Sequence, residues 1–166
     1  SLLNWSSFSE LNLNNAQNKI NLTDPRFENL KKIQNVFLHC YYKSQKTEFF
    51  FKNLTSNTEI DFSRYNYFYA KYLVSEGKID QGKQVLNSSL ESYPKNLLLN
   101  QYKFDLSNDV NENNFNCQNL SHVTAEILYI TANALSSQSI YTFSNFYLNL
   151  AKYLNTSFYS FNALRA

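Results

Sequence analysis

Methionine is absent from this chain of 166 residues, and glycine, proline and cysteine occur only twice each. Two glycines leave no material for a phosphate-cradling glycine-rich loop. An all-β chain needs turn residues roughly every 8–12 positions, and they are missing. The cysteines, Cys40 and Cys117, permit one disulfide, but no spacing demands it. No run approaches the roughly 18 apolar residues of a membrane span, and no secretory leader is visible. A dominant charge sign is lacking too: 15 Lys and Arg face 13 Asp and Glu, for a net charge of +2 and a pI near 8.4. A nucleic-acid-binding domain usually has a pI above about 9 with clustered basic residues. Here the longest basic run is Lys31-Lys32, which argues against such a surface.

What is present points to a globular helical chain. Apolar residues make up 43%, and 14 Phe, 13 Tyr and one Trp supply bulk for a core. The joint abundance of Asn, Lys, Tyr, Phe and Ile fits an AT-rich coding sequence. Scarce breakers between long periodic runs predict helices joined by short polar loops.

An internal repeat sets the architecture. Arg64 to Pro94 aligns without a gap on Glu126 to Thr156, at a shift of 62 residues. Ala70 falls on Ala132, Leu73 on Leu135, Gly77 on Ser139, Gly82 on Ser144, Leu86 on Leu148 and Ser89 on Ala151. Small residues at 70 and 82 let two helices approach closely, while Leu73 and Leu86 fill the seam. Gly77 suits the positive φ that ends the first helix, and Pro94 stops the second. Each unit is thus expected to be a helical hairpin. A weaker copy lies 32 residues earlier, with Leu38, Tyr41, Gln45, Phe50 and Leu54 at the matching places.

The reading along the chain is a single domain over 1–166. Its units are 2–22, 31–58, 63–94, an irregular 97–121 containing a long Asn-rich loop from Ser107 to Ser121, and 125–156. A further unit starts at 158–166. In that register Ala166 falls on the place of Ala70, so a fragment of a longer array is expected; the start at Ser1 without any Met points the same way. Asp24 and Asp61 are candidate N-caps.

The recurring places of small residues, Leu, Gly and Pro resemble the tetratricopeptide repeat. Departures are Asn66 and Leu128 at the first-helix aromatic place, with Tyr65 and Tyr69 beside it, and Thr156 at the terminal proline. The second copy is also similar to large tetratricopeptide-repeat proteins of alphaproteobacteria. The resemblance implies an all-α, right-handed α-solenoid of antiparallel helical hairpins, a protein-binding scaffold in a bacterial cytoplasm or periplasm, and no cofactor.

Chemistry-bearing constellations are thin. His39-Cys40 would need the pair in contact for nucleophilic catalysis, and adjacent helix residues point about 100° apart. His39, Cys40, Cys117 and His122 supply zinc-ligand types without the tight paired spacing of structural sites. Carboxylates are scattered. Most aromatics, such as Phe49, Phe50, Tyr69, Tyr72, Phe146 and Tyr147, are expected in the core or between helices. No catalytic, cofactor or metal residue is assigned.

In the family, first helices line the concave groove. Carrying the register across selects Arg64, Tyr67, Lys71 and Val74, then Glu126, Tyr129, Asn133 and Ser136. The weaker copy supplies Lys32, Asn35, His39 and Tyr42. Spacings of three, four and three put each set on one helical stripe. The expected partner is a protein or peptide held in this groove. Two alternatives stay open: an RNA-binding helical-repeat protein, and a regulatory segment of a larger enzyme.

Overall fold

The computed structural model describes residues 5, 7–56, 60–110 and 114–164, with side chains through 161. Among these the chain is all-α, with no strand. Eight α-helices follow in order: α1 (Leu13–Asn21), α2 (Glu28–Tyr41), α3 (Thr47–Thr55), α4 (Ser63–Ser75), α5 (Ile79–Ser92), α6 (Leu97–Ser107), α7 (Leu120–Ser136) and α8 (Tyr141–Leu154). Short 3-10 segments cover Phe8–Glu10, Pro25–Phe27 and Tyr159–Leu164. None of the described helices is long and apolar enough to cross a membrane.

The chain divides into two compact units. A continuous unit spans 45–112, and a split unit joins 1–44 to 113–166. The continuous unit packs α4 against α3, α5 and α6. Phe51 of α3 stacks on Tyr69 and Tyr72 of α4, with ring centroids 5.3 and 5.5 Å apart. Asn96 caps α6 by accepting from the Leu99 N–H, and its amide donates to Ser63 Oγ at the start of α4. Asp61 accepts from the Ser63 N–H but is not the expected N-cap: Phe62 holds that position and makes no side-chain cap bond. Asp24 instead caps the 3-10 turn ahead of α2, accepting from the Arg26 N–H.

The split unit packs α7 on α8 and α2 on both α1 and α7. A run of rings links its two segments: Phe37 meets Phe115, Phe115 meets Phe158, and Phe158 meets Phe161. Cys40 and Cys117 form a disulfide with their Cα atoms 5.7 Å apart. The bond spans 77 residues and brackets the whole continuous unit. Cys40 therefore presents no free thiol in this structure.

The 62-residue register reappears in three dimensions. The turn after α4 takes positive φ at Gly77 (77°), and the turn after α7 at Ser139 (61°). Lys78 N–H donates to the Leu73 carbonyl at 2.8 Å, and Ile140 N–H to that of Leu135 at 3.0 Å. Both are six-to-one C-terminal bonds, at matched places. α5 and α8 coincide in length and position under the same shift. Both end there, although only one is followed by proline, Pro94; Thr156 takes that place in the other pair, where the preceding Asn155 amide donates to the Asn114 carbonyl.

The crossings also match. A Cβ built on Gly82 would lie 2.7 Å from Val74 Cγ2 and 3.0 Å from the Ala70 carbonyl oxygen. In the other pair Ser144 carries a Cβ, and its Oγ donates to the Ala132 carbonyl at 2.8 Å. The place of Val74 is taken there by Ser136, a smaller neighbour. Ala70 and Ala132 are both fully buried.

Other sequence expectations need adjustment. α7 begins at Leu120, five residues before the expected unit at 125. Asn119 supplies the start, accepting from the Ser121 and His122 N–H groups. The weaker copy's turn, expected at Gln45, falls at Lys43 (φ 53°), where Ser44 N–H donates to the His39 carbonyl. That slips the copy's register by two residues. Its two helices, α2 and α3, fall in different units. The expected unit 2–22 falls partly on residues that are not described, and Ala166 lies outside the described residues.

Two predictions follow from these contacts. Gly82→Ser alone costs about 1–2 kcal/mol in urea unfolding, because Val74 and the Ala70 carbonyl must give way. Adding Val74→Ser, which grafts the arrangement at Ser136 and Ser144, recovers most of that loss. Cys40→Ser with Cys117→Ser lowers stability by about 4 kcal/mol, the loop-closure term for a span of this length. Unfolding with and without reductant measures it.

Candidate functional site

Each expected groove stripe meets a neighbouring segment, and this decides which of its residues reach solvent. On α2, Gln17 of α1 donates to Asn35 Oδ1 at 2.5 Å, and Gln17 Oε1 lies 3.0 Å from His39 Nε2. His39 is buried, Asn35 is half-buried and Lys32 is exposed. Tyr42 is half-buried, its hydroxyl donating to the carbonyls of Phe8 and Leu11. On α4, Tyr102 of α6 lies edge-on to Tyr67, centroids 5.2 Å apart, and Tyr67 is 1% exposed. Lys71 Nζ sits 5.3 Å over the same Tyr102 ring, and the Arg64 guanidinium 5.5 Å over Phe68. Both cations stay half-exposed. On α7, Phe161 covers Tyr129 at 5.2 Å, and Glu126 is fully buried; Asn133 is exposed.

The four buried members, His39, Tyr67, Glu126 and Tyr129, are thus packing residues in this structure. Helical spacing places side chains on a face, but only a tertiary neighbour decides whether that face is open. Lys32, Asn35, Arg64, Lys71 and Asn133 remain accessible in part or whole.

The other suspected clusters do not assemble. Among the described residues no three His, Cys, Asp or Glu side chains come together in a metal-holding group. His122 is engaged locally, its Nδ1 accepting from the Asn116 N–H at 3.0 Å.

Sequence reasoning missed a cavity of about 540 Å³ in the continuous unit, bordered by α3, α4 and α5. Asn66 and Tyr69 line it from α4, and Gln84, Ser88 and Ser92 from α5. Its origin lies in the register. Asn66, Val85 and Ser92 stand where the other pair has Leu128, Tyr147 and Leu154. Three bulky side chains are replaced by smaller or polar ones, so the seam is left open. The signal was legible as the departure at Asn66 from the aromatic place of the repeat. Tyr65 and Tyr69 are both buried beside it, yet they do not close the gap.

Among the described residues the lining is a set of hydroxyls, amides and ring faces without a carboxylate or a cation. Such a set satisfies uncharged polar groups, including peptide amides. Burial, then the nearby Glu48 carboxylate and Tyr72, push the Tyr69 phenol up to about 12, so it remains a neutral donor across the physiological range.

No protein-family model, no curated protein and no solved structure matches the chain.

If the cavity is a packing gap opened by short side chains, Asn66→Leu fills it and raises stability by about 1 kcal/mol. Thermal and urea unfolding of the single variant check this.

Proposed function

We propose that this chain is a tetratricopeptide-like helical-repeat module, part of an α-solenoid, that binds a protein or peptide partner. The observation that carries this reading is the repetition of one helix-pair plan 62 residues apart: the same turn bond, the same small-residue crossing and the same helix end. Repeat chains use such plans to present extended surfaces to other proteins.

The partner-facing residues in this proposal are those of the first-helix stripes that reach solvent. Arg64 and Lys71 lie seven residues apart on one face of α4, each cation held over a ring. Ring packing holds the stems, so little side-chain freedom is lost when a carboxylate docks. The partner segment is therefore acidic.

A fluorescence-polarisation screen against a peptide array graded in acidic content tests the proposal. Acidic peptides bind in preference to neutral and basic ones, and Arg64→Glu with Lys71→Glu weakens the best by tenfold or more, on the order of 1.4 kcal/mol. The melting temperature stays nearly constant. Single-stranded RNA held through moderate salt, with no peptide bound, would replace this reading with the nucleic-acid one.

A further inference from the structure

Helix α8 carries an exposed apolar stripe that its counterpart α5 lacks. Phe143, Phe146, Leu150 and Tyr153 are 61, 56, 37 and 81% exposed. They lie at spacings of three, four and three, on one side of the helix. The opposite side, Ser144, Leu148 and Ala151, is buried. At the same places in the other pair α5 presents Gln81, Gln84, Ser88 and Glu91, all exposed and polar. The helix-pair plan therefore does not require apolar residues there. A stripe of this kind rimmed by polar residues marks a contact surface.

We infer that this face of α8 pairs with the same face of α8 in a second copy of the chain, antiparallel about a two-fold axis. Two features select that occupant. The three-four-three spacing reads the same in both directions. An antiparallel partner therefore sets Phe143 opposite Tyr153 and Phe146 opposite Leu150, which is the self-complementarity a two-fold contact demands. The second feature is charge. Lys152 is the one ionisable cation or acid on α8, and it is half-buried. Two such faces meet without like-charge repulsion, whereas a strongly charged partner finds no counter-charge. A lipid surface is disfavoured on the same ground, since interfacial helices carry several basic residues on the polar face. The inference uses a surface apart from the first-helix stripes and does not depend on the peptide-binding reading.

Sedimentation equilibrium of the full chain tests the pairing. A concentration-dependent monomer–dimer equilibrium is expected, weakened about tenfold or more by Phe146→Glu. Leu150→Lys alone weakens it similarly. Together, Phe146→Glu and Leu150→Lys restore it, because the introduced charges face one another only in the antiparallel arrangement. Gln81→Glu, at the place on α5 that matches Phe143, leaves it unchanged. Every altered position is exposed, and unaltered circular dichroism verifies that each variant folds. A chain that stays monomeric at all concentrations overturns the inference. So does a dimer indifferent to Phe146→Glu, or a monomer that co-sediments with phosphatidylcholine–phosphatidylserine vesicles through this face.

Discussion

Close approach of paired helices at two small-residue crossings is the constraint from which the local architecture follows. Where Gly82 meets the Ala70 carbonyl, the Val74 side chain leaves no room for a Cβ. Where Ser144 meets the Ala132 carbonyl, a hydroxyl fits and converts the same contact into a hydrogen bond. A buried hydroxyl needs a partner, and the backbone carbonyl across the seam is the nearest acceptor. The neighbouring place adjusts in step, Val74 beside the glycine and Ser136 beside the serine. With the crossing fixed, the turn must close within a few residues, and positive φ at Gly77 and Ser139 closes it.

The crossings were legible in the sequence because small residues stand out against a background of Phe, Tyr and Leu. The all-α class was legible because breakers are scarce, and the place of α5 because Gly77 and Pro94 bracket it; α8 was legible only through its alignment on α5. The start of α7 was hidden, since Asn119 is one asparagine among many and nothing local marks it as a cap. The slip at Lys43 was hidden because a lysine at positive φ gives no compositional signal, unlike Gly77. Pairing of Cys40 with Cys117 could not be read from spacing at all; it depends on α2 and the segment before α7 meeting in one unit.

The candidate surface was legible only in part. Register placed Tyr67 and Tyr129 on the intended stripes, but α6 and the segment after α8 cover them. The aromatics expected inside divide differently: Tyr69 is buried, Phe50, Tyr72 and Tyr147 are half-buried, and Phe49 and Phe146 are exposed. Aromatic content alone does not separate a filler from a contact. Position in the repeat does better, since it pairs Phe146 with Gln84 and Asn66 with Leu128. Each mismatch marks a local feature, a bare apolar face in one case and an open seam in the other.

The order in which the lobes arise during synthesis follows from the interrupted layout of the split unit. Residues 45–112 form a contiguous body and can condense as soon as they leave the ribosome. The body made from 1–44 and 113–166 must wait for its second segment. Until Phe115 and Val123 emerge, α2 presents Val36, Phe37 and an unpaired Cys40 to whatever is nearby. A nascent chain of this design exposes the core-facing side of α2 for longest, which makes that helix a target for a holding chaperone and its thiol a target for premature oxidation.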